Sequence, residues 1–311
     1  MMRRLVVALS ILAATVDAQE KVEQISLPGD SGLVWSVFRP VGKPLLPGII
    51  VLGGSEGGDS GRDEAKELAA AGYITASVAY FGASGVPSEL KEIPIEYIQR
   101  AITRLTESGY ARPGEIGVLA TSKGSEAALL LASLDKRVKA VVAYAPSSVT
   151  WSCICSDAET SSWTYAGAPV AFIAQGRDPA YRPGPGEPMR PIVNYRHRLL
   201  TARNYSRAVI PIEKFRGALM IVAGRDDQLW PSAEMADQIR SRRSASRFAA
   251  KDRYLIYPRA GHQIGKAGLP QAESTRIAGG RIETGGTLAE NALAQRDSWP
   301  RVLEFFAAHL Q

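Results

Sequence analysis

The chain has 311 residues, 45% of them hydrophobic and 22% charged, a balance that supplies a large core and is ordinary for a globular protein of one or two domains. Its formal charge of +6 comes with no run of five basic residues and no basic stretch interleaved with aromatics, so nucleic-acid binding is not expected, whereas anionic ligands are tolerated. Two cysteines, Cys153 and Cys155, with no histidine nearby do not make a zinc site, and no metal or cofactor is expected.

The opening Met1-Met2-Arg3-Arg4 leads into an apolar run, Leu5 to Ala14, too short to span a membrane, and then into the small-residue site Val16-Asp17-Ala18. This is the pattern of a secretory signal peptide over residues 1–18. The expected address is the bacterial periplasm, with no stable membrane insertion once the signal is removed. Residues 19–311 are then expected to form one α/β domain. An oxidising compartment permits a disulfide between Cys153 and Cys155, though a ring that short is strained; packed or redox-inert cysteines are expected rather than catalytic ones, and their redox state is left open.

Val22 to Leu27 and Leu33 to Pro40 read as an antiparallel hairpin about the turn Pro28-Gly29-Asp30-Ser31-Gly32. Ile49-Ile50-Val51-Leu52 is apolar without alternation, as in a parallel strand covered on both faces. A helix over Asp63 to Ala71, a strand over Tyr73 to Tyr80 and a helix over Ile95 to Ser108 continue the chain, and Ile116 to Ala120 and Val138 to Ala145 are the next strands. The βαβ rhythm predicts a mostly parallel, doubly wound sheet. From about 147 to 207 it breaks into a segment rich in Pro, Gly, Ser, Trp, Tyr and Arg, which reads as a lid-like insertion over the sheet's C-terminal edge. Regular structure resumes with strands over Ala218 to Ala223 and Arg253 to Tyr257 and helices over Ser232 to Arg243 and Leu288 to His309.

Three strand ends carry candidate chemistry. Ala120-Thr121-Ser122-Lys123-Gly124 has the spacing of the G-x-S-x-G nucleophile elbow, with alanine in the first glycine position; small residues there let the backbone make the strained turn that exposes the serine. Gly224-Arg225-Asp226-Asp227 follows a strand, and Asp227 is the better placed of its two acids to orient a histidine. Of three histidines, His262 alone stands just after a strand. Ser122, Asp227 and His262 thus run in the chain order of an α/β-hydrolase triad: His262 takes the serine proton, and Asp227 holds and charge-stabilises the imidazole. The backbone N–H of Lys123, with that of Gly54 or Ser55 in the cluster Gly53-Gly54-Ser55-Glu56-Gly57-Gly58, would form the oxyanion hole. That cluster is no nucleotide loop, since Asp59 follows it. Ser88-Glu89-Leu90-Lys91 and Ser133-Leu134-Asp135-Lys136 fit S-x-x-K but lack a K-T-G or S-D-N companion.

With Thr121-Ser122-Lys123-Gly124-Ser125-Glu126, Gly224 to Trp230, Ile210-Pro211-Ile212-Glu213 and Tyr257 to His262 in view, the chain from about Pro47 onward resembles the C-terminal catalytic domain of acyl-CoA thioesterases and bile acid-CoA:amino acid N-acyltransferases. The resemblance implies an α/β-hydrolase fold, the triad Ser122, Asp227 and His262, and a small-molecule acyl ester or thioester as substrate. The transferase branch carries cysteine as nucleophile, and Ser122 matches the hydrolase branch. Two departures stand out: the family's eukaryotic members have a full N-terminal β-sandwich where this chain has the short hairpin, and they work where coenzyme A is available, whereas this chain carries an export signal. Acyl transfer to an amine and a catalytically silent ligand-binding scaffold are the alternatives. Arg177, Arg182, Arg190, Arg196 and Arg198 of the insertion could meet an anionic leaving group, with a solvated face as the plainer reading.

Overall fold

The computed structural model describes residues 21–27, 32–157, 159–265, 274–277 and 280–310; the signal-peptide expectation for residues 1–18 and most of the hairpin turn, residues 28–31, lie outside them. Among the described residues, eight strands make one sheet: β1 (Val22–Ile25), β2 (Val34–Pro40), β3 (Leu46–Leu52), β4 (Ile74–Ala79), β5 (Ala111–Thr121), β6 (Val138–Tyr144), β7 (Ala218–Gly224) and β8 (Arg253–Tyr257). Their spatial order is β1-β2-β4-β3-β5-β6-β7-β8. The hairpin β1–β2 is antiparallel and joins β4 antiparallel, and every pairing from β4 to β8 is parallel.

The unalternating apolar runs are explained by cover on both faces. In β3, Ile50 and Leu52 face one core cluster while Ile49 and Val51 face the other, the two-residue period of a pleated strand; β7 divides in the same way, Leu219 and Ile221 against Met220 and Val222. Helices α2 (Ile95–Glu107), α3 (Lys123–Leu134) and α5 (Ser232–Ser244) cover the first face through residues such as Ile98, Leu129 and Ile239. On the second face, α1 (Arg62–Ala70) and the C-terminal helix Leu288–His309 contribute Leu68, Val302 and Phe306. This is the doubly wound α/β-hydrolase architecture that the sequence implies, with its parallel strands delivering their C-terminal ends to one edge.

The insertion is more ordered than its composition suggests. Trp163–Tyr165 pairs antiparallel with Ala168–Pro169 and parallel with Ile93–Pro94, and Pro191–Thr201 forms a helix, α4. These pieces are too short for a hydrophobic period to show in the sequence. Trp163 joins the main core, whereas α4 packs through Tyr195 and Leu199 onto a small separate core in which Val149, Trp151, Ile173 and Ala208 meet Trp230 and Met235. Cys153 and Cys155, whose redox state the sequence leaves open, are joined as a disulfide, their Cα atoms 5.4 Å apart and within ordinary bridging range.

Candidate active site

The turn between β5 and α3 places Ser122 at φ 55° and ψ −122°, a backbone conformation L-residues avoid unless the surroundings hold it. Small neighbours make it possible. A Cβ at Gly124 would collide with the carbonyl oxygen of Gly53 and lie 2.7 Å from that of Leu52, so α3 can start this close to β3 only with glycine there. Ala120 is different: its methyl is fully buried in the core cluster beside β3 and β6, which is why the departure from G-x-S-x-G is tolerated. Gly124→Ala is expected to destabilise the protein by about 1–3 kcal/mol, read as a lowered urea midpoint, because the added atom meets backbone that cannot swing aside.

Ser122, Asp227 and His262, 140 residues apart at their widest, come together at the C-terminal edge of the sheet. With its proton on Nδ1, the His262 ring donates to Asp227 Oδ2 at 2.8 Å, leaving Nε2 to accept from the Ser122 hydroxyl at 2.9 Å. All three residues are buried, and Asp227 is locked: Oδ1 accepts from the N–H of Leu229 (2.9 Å) and Trp230 (3.1 Å), and Oδ2 also accepts from the Ser232 hydroxyl at 2.6 Å. Neighbouring Asp226 is spent elsewhere, on Gln228 Nε2 and the N–H of Gly286. His262 is fixed by its own N–H to the Thr284 carbonyl, 2.8 Å, and by the edge of the Trp230 ring, centroids 5.7 Å apart. The other histidines are elsewhere, His197 3.9 Å from Asp178 and His309 against Phe305.

Of the residues expected to form an oxyanion hole, Ser55 and Lys123 line one cavity with Ser122, and Gly54 lies against Ser122. A Cβ at Gly54 would stand 3.2 Å from Ser122 Cβ, so the chain after β3 passes directly against the nucleophile. The Tyr80 hydroxyl donates to the carbonyls of Gly53 (2.7 Å) and Gly54 (3.2 Å) and pins that passage; burial pushes the Tyr80 phenol well above its ordinary pKa, so it remains a donor. Among the described residues, nothing accepts a hydrogen bond from the N–H of Gly54, Ser55 or Lys123.

A residue whose role the sequence did not disclose lies directly beneath. The Glu126 carboxylate, fully buried, accepts from Lys123 Nζ at 2.8 Å, from the Trp163 indole N–H at 2.7 Å and from the Trp151 backbone N–H at 3.0 Å. It ties the insertion to the first turn of the elbow helix. In the sequence it shows as the acid of the signature that carries the family resemblance, three residues after a base in a largely apolar helix.

The serine opens into a cavity of about 530 Å³. Its apolar wall is Trp151, Ile154, Tyr195, Leu229, Trp230 and Ile282; Gln175, Arg177, Asn194 and Arg198 supply its polar part. A larger cleft, about 740 Å³, lies at the opposite end of the strands around Lys139 and Phe215 and touches none of the triad. Among the described residues, no group of three or more His, Cys, Asp or Glu could hold a metal ion.

Comparison with known proteins supplies the remaining findings. A family model described as BAAT / Acyl-CoA thioester hydrolase C terminal matches residues 93–311. Acyl-coenzyme A amino acid N-acyltransferase 1 of Mus musculus is 31% identical over 280 residues, covering 88% of this chain and 62% of that protein. Peroxisomal succinyl-coenzyme A thioesterase of Mus musculus is 27% identical over 277 residues, covering 88% and 63%. The chain therefore spans less than two thirds of the length of these relatives. Among solved structures, an acylaminoacyl peptidase of Pyrococcus horikoshii superposes with a TM-score of 0.57 at 14% identity, over 89% of this chain and 39% of that one. A dienelactone hydrolase-like promiscuous phosphotriesterase from metagenomic libraries gives 0.54 at 12%, over 94% and 99%. At such identities the likeness speaks for the α/β-hydrolase fold.

Proposed function

This chain belongs to the BAAT / acyl-CoA thioester hydrolase C-terminal family, and from that premise we propose that it is a serine hydrolase cleaving an acyl ester or thioester through an acyl-enzyme. The observation that carries the reading is the relay from Ser122 through His262 to Asp227 at the mouth of a largely apolar cavity.

In the proposed reaction Ser122 Oγ attacks the substrate carbonyl as its proton passes to His262 Nε2. Asp227 stabilises the resulting imidazolium and holds the ring in the required orientation. The developing oxyanion is met by the N–H of Lys123 together with that of Gly54 or Ser55, donors commonly worth about 3 kcal/mol each to the transition state. Collapse breaks the bond to the thiol or alcohol, which leaves with the proton from His262. Water then enters, gives its proton to the same nitrogen, and releases the carboxylic acid and free Ser122.

One observation supports the export proposal: Cys153 and Cys155 are bridged, as suits an oxidising compartment. On this reading the protein works in the periplasm.

The test is covalent labelling. A fluorophosphonate is expected to modify the mature protein once, at Ser122, and a slow ester is expected to leave its acyl mass on the same residue; label retained by the Ser122→Ala variant would overturn the reading. The 31% identical N-acyltransferase relative motivates a second reading, acyl transfer to an amine. It requires that added glycine divert the acyl group from acid to amide, and acid alone at high glycine concentration rejects it.

A further inference from the structure

Of the insertion's seven arginines, the five named above are not equivalent. Arg182 donates to the Tyr181 carbonyl, Arg190 to Gln228 Oε1 at 2.9 Å and Arg196 to the Glu234 carboxylate at 2.8 Å, so each is directed away from the cavity or satisfied outside it. Arg177 and Arg198 are the two that line the cavity. Arg198 is half-buried and fixed at one edge, its Nε donating to the Ala174 carbonyl at 2.9 Å while its side chain packs against Gly176; a Cβ there would stand 3.2 Å from Arg198 Cδ. Its two terminal nitrogens have no acceptor among the described residues, and Arg177 has none for any of its nitrogens.

Among the described residues, no aspartate or glutamate lines this cavity; on the serine side, the Glu56 carboxylate lies against Gly54. Lys123, the other cation on its wall, is neutralised below by Glu126. Gln175 and Asn194, on the same side as the arginines in sequence, add amide groups, and Asn194 Oδ1 is already occupied by the N–H of Asp178 at 2.9 Å. The cavity therefore presents an apolar wall of indole and aliphatic side chains and a second wall of donors with two uncompensated positive charges. Guanidinium groups left with free donor edges in a partly enclosed space bind carboxylate or phosphate in forked pairs, and the low dielectric of the walls strengthens the attraction.

We propose that Arg177 and Arg198 form an anion subsite, so that the preferred substrate of Ser122 carries a carboxylate or phosphate group as well as an apolar portion. The proposal rests on the hydrolase reading of the site and specifies its substrate class. The anion can belong to the acyl portion, as in the half-thioester of a dicarboxylic acid, or to the leaving group, as in a phosphorylated thiol.

Three matched thioesters separate these sources: butyryl-pantetheine, which is neutral, glutaryl-pantetheine, charged on the acyl side, and butyryl-phosphopantetheine, charged on the thiol side. In the wild-type protein one charged substrate is expected to exceed the neutral one in kcat/KM by about 10- to 100-fold, mainly through KM, the size of one or two charge-assisted hydrogen bonds. The preference should shrink as salt is raised. It should collapse towards unity in Arg177→Gln/Arg198→Gln and invert in Arg177→Glu. Because Arg198 also braces the Ala174 carbonyl, Arg177→Gln alone, at an exposed position, serves as the variant free of folding effects and should lose part of the preference. Equal turnover of all three thioesters by the wild type, or a preference that survives in the double variant, overturns the subsite. Failure to hydrolyse even the neutral thioester, with no labelling of Ser122, would instead overturn the hydrolase reading, so the two failures are distinguishable.

Discussion

Asp227→Asn is expected to lower kcat about 10⁴-fold while leaving the thermal midpoint within a few degrees of wild type. The asparagine oxygen can keep the contacts that Oδ1 makes with the N–H of Leu229 and Trp230, so the loop before α5 stays closed. The amide nitrogen must then occupy the place of Oδ2, facing both Ser232 Oγ and His262 Nδ1. A donor in that place forces the imidazole to carry its proton on Nε2, where it can no longer accept from Ser122. Ser122→Ala and His262→Ala are each expected to cost more, about 10⁶-fold, and the double variant no more than either alone, because the residues act as one unit. The measurement is single-turnover hydrolysis of a thioester beside a urea unfolding curve for each variant. A loss below tenfold for Asp227→Asn, or additive losses for Ser122 and His262, would remove Asp227 or the relay from the mechanism.

The juxtaposition of Ser122, Asp227 and His262 was legible because each sits where a parallel strand ends, and strand ends in this architecture converge on one edge. Three short patterns in the right order were enough to name Ser122, Asp227 and His262, and the structure brings them within hydrogen-bond range. The choice of Asp227 over Asp226 was also legible, from its spacing after Gly224. The substrate wall was not. Trp151, Tyr195 and Ile282 come from three segments with no period in common; the insertion's own small core makes the first two neighbours, and Ile282 reaches the same cavity from the strand Gly280–Glu283. Nor could the sequence sort Arg177 and Arg198 from Arg182, Arg190 and Arg196, since the distinction lies in which guanidinium finds an acceptor after folding. The disulfide had the same character: a two-residue spacing leaves the pairing open until the local turn sets the Cα separation.

Glu126 is the strongest case of a residue whose meaning depends on burial, and it yields the largest expected effect on stability. Its carboxylate and the Lys123 ammonium are both shut away from water, and burial pushes the acid's pKa up and the amine's down, each opposed by the other's charge. The carboxylate's further donors, the Trp163 indole and the Trp151 amide, favour its ionised form, so the pair stays charged and mutually dependent. Lys123→Met leaves an acid with two neutral donors and no counter-charge, and Glu126→Leu leaves a buried ammonium with only the Trp163 ring, 5.6 Å away, to face it. Each single variant is expected to lose about 3–5 kcal/mol in urea unfolding at neutral pH. The double variant should lose clearly less than the sum, with a coupling of at least about 1 kcal/mol, because neither charge is then stranded. Closure of that double-mutant cycle to within about 0.5 kcal/mol would show that the two side chains are independent. The consequence reaches the chemistry through Trp151. The tryptophan that Glu126 holds by its amide is also part of the cavity wall, so the charged pair fixes that wall relative to the turn bearing Ser122. The double variant, folded but without the carboxylate, should therefore show a raised KM for thioesters alongside a smaller change in the labelling of Ser122.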